Sequence, residues 1–99
     1  MLSAIIAAWD ELFPGGEEGT VTEARRRYCG TSGEYLRPED RYPMTAELIV
    51  AAGLKDFDAR EVGKLLSRHK GRRGANGRMI VSRVGHNNVK KWRLKESAG

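Results

Sequence analysis

Three basic side chains recur at intervals of four residues in the second half of the sequence, at Arg60, Lys64 and Arg68. Residues spaced by four lie on one side of an α-helix, and the surrounding apolar pattern predicts a helix over residues 59–70. Such a row suits nucleic acid, because an Arg guanidinium can form a bidentate contact with guanine and a Lys ammonium can neutralise a phosphate. The alternative is a solvated helix face on which Arg60 and Lys64 pair with nearby acidic residues.

More basic and polar residues follow this helix and lie on a predicted C-terminal hairpin. The hairpin cations favour phosphate contact, whereas Asn87 and Asn88 at the tip favour a role as left-handed turn residues over contact with phosphates or a minor groove. The predicted nucleic-acid-binding residues are Arg60, Lys64, Ser67, Arg68, Lys70, Arg72, Arg73, Arg83, Asn87, Asn88, Lys90, Lys91 and Arg93. For Arg25, Arg26 and Arg27, phosphate contact and a solvated helix face fit the sequence equally well.

Charge is distributed unevenly along the chain, which carries 18 Lys and Arg, 13 Asp and Glu, and a net charge of +5. Residues 1–54 contain five basic and nine acidic residues, a net charge of −4. Residues 55–99 contain thirteen basic and four acidic residues, a net charge of +9. Such a field attracts polyanions and speeds their association, so the charge favours a nucleic-acid partner for the C-terminal half.

Composition narrows the class of protein further. The 99 residues, 39% of them apolar, are expected to form one domain. The sequence has one cysteine, Cys29, and this excludes an internal disulfide. Because His69 and His86 are isolated in the sequence, we predict no metal site and no cofactor. We also predict no enzymatic activity. Cys29 is expected to be a small buried side chain, and His69 a packed, hydrogen-bonded one.

The apolar runs are short. The longest, residues 4–9, falls far below the roughly 20 residues that span a bilayer. Asp10 and Glu11 follow it and no basic residue precedes it, unlike a secretory signal. We therefore expect a cytoplasmic protein with no membrane partner.

The first half of the sequence predicts two helices. Apolar residues at spacings of three and four predict one over residues 2–13, capped by Ser3 and ended by Pro14 and two glycines. Residues 20–21 are compatible with a very short strand. Thr22 is then expected to cap a second helix that reaches Arg27 or Cys29.

The middle of the sequence predicts an irregular loop and two further helices. Two glycines and two prolines make residues 30–43 loop-like, and a third helix is expected over residues 45–52. Asp58 followed by Glu61 is the capping-box pattern that opens the helix over residues 59–70. Its inner stripe is predicted to be Val62, Leu65, Leu66 and His69.

The C-terminal pattern predicts a β-hairpin with strands at residues 79–84 and 89–94, joined by a turn at 85–88. Trp92 and Leu94 share one face, and we assign Met79 and Val81 to the core with them. Apolar Ile80 and Val84 on the opposite face leave that register open. Residues 95–99 are expected to form a disordered tail.

This order of elements resembles the winged form of the helix-turn-helix, an α+β fold of about four helices plus a C-terminal hairpin wing. More specifically, the amino-acid sequence of residues 58–72, together with Lys91-Trp92-Arg93-Leu94 in the second strand of the hairpin, resembles the winged-helix C-terminal region of phage and prophage primase–helicase-type replication proteins. Proteins of this kind carry an ATPase motor domain before the winged helix. The nucleotide-binding signature of such a motor, Gly-Lys-Ser/Thr, is missing from this sequence. The resemblance therefore implies an accessory module that works with an ATPase or helicase module in the same or another chain.

The resemblance implies a non-enzymatic DNA-binding module in the replication of phage or mobile-element DNA. We expect binding to duplex DNA rather than to single-stranded DNA. The helix over residues 59–70 would lie in the major groove, and the hairpin over residues 78–95 would contact the phosphate backbone. When bound to DNA, the protein is expected to be associated with the nucleoid. The alternative is a winged helix that docks a replication motor or another protein, since a fold does not decide a function.

Overall fold

Five α-helices precede a two-stranded antiparallel hairpin in a computed structural model, which describes residues 1–30, 37–74 and 77–96 of the chain. The helices are α1 (Leu2–Leu12), α2 (Val21–Cys29), α3 (Pro38–Arg41), α4 (Pro43–Ala51) and α5 (Ala59–His69), and the strands are β1 (Arg78–Val84) and β2 (Lys90–Glu96). Short 3-10 turns at Pro14–Gly16 and His86–Asn88 follow α1 and join the strands. The predicted α+β class, mostly helical with a C-terminal hairpin, is confirmed.

The central helix is α1, whose apolar face packs along α4 and reaches both strands. Its buried residues are Ile5, Ile6, Ala8, Trp9 and Leu12. The predicted cap at Ser3 is wrong, because Met1 occupies the N-cap position and no side chain caps the helix. Glu11 instead reaches across to α4 and accepts hydrogen bonds from the backbone N–H groups of Met44 (3.2 Å) and Thr45 (3.0 Å). One carboxylate of α1 thereby caps the start of α4.

The start of α2 lies one residue after Thr20, which is its N-cap. The Thr20 hydroxyl accepts a hydrogen bond from the N–H of Glu23 (3.0 Å), and the Glu23 carboxylate accepts one from the N–H of Thr20 (3.3 Å). This capping box replaces the predicted cap at Thr22 and the predicted strand at residues 20–21. The strand-like contact falls at Gly19, which forms an isolated antiparallel bridge with Trp92.

Two prolines that indicated a loop over residues 30–43 instead begin helices. Pro38 opens α3 and Pro43 opens α4, since the fixed φ of proline suits the first helical position, where its missing N–H costs no hydrogen bond. The predicted irregular loop is therefore wrong for residues 38–41, and α4 begins two residues before the expected Thr45. Residues 31–36 lie outside the described part of the chain.

The predicted fourth helix is α5, and its N-cap at Asp58 and its helical phase are as expected. The return bond of a capping box, from the N–H of Asp58 to the carboxylate of Glu61, is not found among the described residues, and Glu61 accepts from Lys64 instead. The Asp58 carboxylate accepts hydrogen bonds from the N–H groups of Arg60 (3.0 Å) and Glu61 (3.2 Å). Val62 and Leu66 are buried, whereas Leu65 and His69, the other two members of the predicted stripe, are half-buried. The buried face of α5 packs against α2 and α1.

The hairpin pairs Ile80 with Leu94 and Ser82 with Trp92. Directly opposed residues project to the same face, so Ile80 shares the core face with Leu94 and is fully buried. The assignment of Met79 and Val81 to the core is wrong, because both lie on the other face and are half-buried. Strand β2 runs to Glu96, so residues 95 and 96 are not a disordered tail, and residues 97–99 lie outside the described residues.

Two other expectations about single side chains are wrong. Cys29, predicted to be buried, is exposed at the last position of α2. The buried Nδ1 of His69, predicted to be hydrogen-bonded, has no hydrogen-bond partner among the described residues.

Among the helices of residues 1–30, 37–74 and 77–96, none has the length and apolar character needed to cross a membrane.

Candidate nucleic-acid interface

An open groove of about 620 Å³ lies where α2, α5 and β2 meet. One wall is the exposed side of α5, and the other is formed by the start of α2 and the beginning of β2. The lining residues are Thr20, Val21, Thr22, Arg60, Gly63, Lys64, Ser67, Arg68, Val89, Lys90 and Trp92. We call this feature the α5 groove.

The α5 groove brings together five of the predicted nucleic-acid-binding residues: Arg60, Lys64, Ser67, Arg68 and Lys90. Four of them are cations, and none of the described residues that line the groove is acidic. Apolar side chains form part of the wall, with Val89 exposed and Trp92 buried beneath. The groove can therefore offer positive charge and hydroxyl groups to a ligand that also has an apolar part.

Within the described part of the chain, Lys64 is the one basic residue of the row on α5 that pairs with an acidic side chain. Its ammonium lies 3.3 Å from a carboxylate oxygen of Glu61, and both side chains are exposed. An exposed pair of this kind contributes about 0–1 kcal/mol, so a phosphate can replace it at small cost. Within the described ranges Arg60 and Arg68 form no ion pair.

The hairpin cations divide between two faces. Lys90 lies on the groove side, with its ammonium 5.9 Å from the centre of the Trp92 ring. Arg83, Lys91 and Arg93 line a small hollow elsewhere on the hairpin together with Glu18. The predicted set of hairpin cations therefore does not form one continuous surface.

Arg83 is held by an acidic side chain. Its Nε and Nη2 donate to the two carboxylate oxygens of Glu18 at 2.7 and 2.6 Å. These hydrogen bonds lower the pKa of Glu18, and the positive charges of Lys91 and Arg93 contribute to the same shift. The bidentate pair joins β1 to the segment before α2, so Arg83 has a structural partner that sequence spacing did not reveal.

The other predicted DNA-binding residues lie outside the α5 groove, either in the hairpin turn or in the connection between α5 and β1. Asn87 and Asn88 have φ angles of 58° and 61°, the left-handed conformation that short turns require. Lys70, Arg72 and Arg73 are exposed beyond the last residue of α5. Burial lowers the pKa of the adjacent His69, which favours the neutral form of its ring.

The three consecutive arginines of α2 have different environments. Arg27 donates to the carbonyl of Leu12 (2.6 Å), pairs with Glu17 (2.8 Å) and lies over the Phe13 ring, 4.3 Å from its centre. Arg25 and Arg26 are exposed. Arg27 therefore connects α2 to the end of α1, and the other two face solvent.

Six lining residues were missed as site residues by sequence reasoning: Thr20, Val21, Thr22, Gly63, Val89 and Trp92, the last of which was predicted only for the core. Thr20 precedes Glu23 by three residues, and this capping-box spacing could have located the start of α2. Gly63 stands inside a predicted helix, where glycine calls for an explanation. Nothing in the local pattern indicates that Val89 faces α5, because that contact joins distant parts of the chain.

The described residues contain no group of three or more His, Cys, Asp and Glu that could hold a metal ion. Comparison of the chain with protein-family models, with curated proteins and with solved structures finds no match.

Proposed function

We propose that this chain is a winged-helix module that binds duplex DNA, with α5 in the major groove and the hairpin along the phosphate backbone. The observation that carries the proposal is the α5 groove, whose described lining residues include four cations from α5 and β2 and no acidic residue. The net charge of +9 over residues 55–99 supports it, because phosphate contacts supply most of the affinity of proteins for DNA.

The order and placement of the elements are compatible with a winged helix. Helices α2 and α5 pack together before the hairpin, and Gly19 adds a one-residue bridge at the β2 edge, where that fold places its first strand. At about 1.5 Å per residue, the 11 residues of α5 span roughly 16 Å. The major groove of B-DNA, about 12 Å wide, admits a helix.

The resemblance of residues 58–72 and 91–94 to the primase–helicase-type replication proteins supports the biological setting. We infer an accessory role in the replication of phage or mobile-element DNA, beside an ATPase motor in the same or another chain. In this role the module positions DNA and performs no reaction itself.

Binding to labelled duplex DNA at several salt concentrations tests the proposal. We expect binding at low salt and a straight line of log K against log salt. If about five phosphates are neutralised, its slope is roughly −4 to −5. Single-stranded DNA of the same length serves as the comparison and should bind more weakly. Absence of any duplex complex at low salt would contradict the proposal.

A second prediction separates base contact from backbone contact. Arg68→Ala should cost about 1–3 kcal/mol of binding free energy on a site selected from random duplexes, and less on unselected DNA. Lys90→Ala should weaken binding to both DNAs alike and reduce the salt slope by about one. Lys55→Ala is the matched control, because Lys55 is exposed in the connection between α4 and α5 and does not line the α5 groove. Equal effects of Arg68→Ala on the two DNAs would remove α5 from the role of base reader.

Docking of a protein partner is the alternative function, and α4 carries the observation that favours it. Met44 is 41% exposed and Val50 is 76% exposed, although the opposite face of α4 is already buried against α1. Exposed Glu47 lies between these two side chains, so the solvent side of α4 offers a partner both apolar contact and a charge. If no duplex binds, this surface becomes the leading candidate.

A further inference from the structure

Gly63 occupies the fifth position of the 11-residue helix α5 and lines the α5 groove. Proline aside, glycine is the least favourable residue in the interior of a helix, because it loses the most backbone freedom on folding. A glycine at such a position therefore needs a reason in packing, conformation or function.

Packing and conformation do not supply that reason. Apart from the adjacent backbone of α5 itself, a Cβ atom built at Gly63 has no neighbour within 4 Å among the described residues, and Gly63 does not have a positive φ. Other glycines of this chain are different in kind. At Gly19 a Cβ would overlap the Phe13 ring, and Gly53 has a φ of +74°. The fold would thus accept alanine at position 63.

The surroundings of Gly63 indicate what the open space admits. Arg60 precedes it by three residues and Ser67 follows it by four, so both lie on the same side of α5. Lys64 and Arg68 line the same groove, and Val21 and Val89 contribute apolar surface opposite the helix. Cations and a hydroxyl suit phosphates, and the apolar surface suits deoxyribose.

We propose that Gly63 sets the depth of the α5 groove, so that the sugar–phosphate strand bordering the major groove lies directly against the backbone of α5 at this position while Arg68 stays within reach of the base edges. Glycine is the residue that permits such a close approach between a protein backbone and a ligand. Any side chain at position 63 would hold the strand away from the cations on either side. This inference rests on the proposed DNA binding and makes Gly63 a positioning residue for it.

The test measures thermal stability and duplex affinity of Gly63→Ala and Gly63→Leu beside the unmodified protein. Alanine should raise Tm by roughly 4 °C or more, because it favours the helix and meets no neighbour. The same change should weaken binding to duplex DNA at low salt by about tenfold. Gly63→Leu should weaken it more, since its side chain occupies more of the groove.

Ser3→Ala is the matched control, because Ser3 is an exposed residue of α1. It also raises helix propensity and should leave duplex affinity unchanged. A Gly63→Ala protein that melts higher but binds duplex as tightly as the unmodified protein overturns the inference and leaves the proposed function standing. A lower Tm for Gly63→Ala also overturns it. If the unmodified protein binds no duplex, both the proposed function and this inference fail.

Discussion

Replacing Leu66 with alanine is expected to lower the free energy of unfolding by about 2–5 kcal/mol. Leu66 is 1% exposed and lies in the core cluster with residues of α1 and the hairpin. Truncating it removes apolar contacts and leaves a cavity that the neighbouring helices and strands cannot fill completely. Urea or thermal unfolding followed by circular dichroism measures the loss.

Two neighbours of Leu66 provide the controls for this prediction. Lys64→Ala should change the free energy of unfolding by no more than about half a kcal/mol, because the Lys64 side chain is exposed. Leu65→Ala should fall between the two, since Leu65 is half-buried. If Lys64→Ala were more destabilising than Leu66→Ala, the helical phase of α5 would be wrong, and the face assigned to DNA with it.

Gly19→Ala is expected to destabilise the protein by about 3 kcal/mol. The added Cβ would overlap three atoms of the Phe13 ring, and that ring is fully buried and has no solvent to move into. Gly19 also exchanges two backbone hydrogen bonds with Trp92, at 2.9 and 2.8 Å. A shift of Gly19 to relieve the overlap would weaken the attachment of the hairpin to the helices.

Gly63→Ala is the matched control for Gly19→Ala, because it makes the same chemical change where a Cβ meets nothing within 4 Å. The two substitutions should therefore move Tm in opposite directions in the same unfolding assay. An unchanged Tm for Gly19→Ala would mean that the Phe13 ring can rotate or shift without loss of core packing.

The parts of the fold that sequence reasoning predicted well carry their own local signals. Helix α1 has apolar residues at helical spacing, and α5 has the Asp58 cap together with a stripe in which Val62 and Leu66 are buried. These signals depend on residues within one or two turns of each other. The basic face of α5 follows from the same periodicity, which is why Arg60, Lys64 and Arg68 were predicted as a group.

The parts that sequence reasoning missed depend on distant contacts. Both faces of β1 carry apolar residues, so its own pattern could not choose between Met79 and Ile80. The choice is made by β2, where Leu94 is buried opposite Ile80. In the same way, Arg83 looks like a free cation until Glu18, 65 positions away, is placed beside it. The wall of the α5 groove that faces α5, formed by the start of α2 and the beginning of β2, could not be predicted from sequence for the same reason.

The contacts of Trp92 also join residues from near the two ends of the sequence, which affects how fast the molecule can fold. The indole N–H of Trp9 donates to the carbonyl of Trp92, a residue 83 positions later, and Gly19 pairs with that same residue. Closing such long loops costs chain entropy before any contact repays it, and contacts of this kind slow folding. During synthesis from the N-terminus, Trp9 and Phe13 are made long before Ile80, Trp92 and Leu94, the strand residues of their core. The core around Trp9 and Phe13 is therefore complete only after β2 has been synthesised and has packed against the helices.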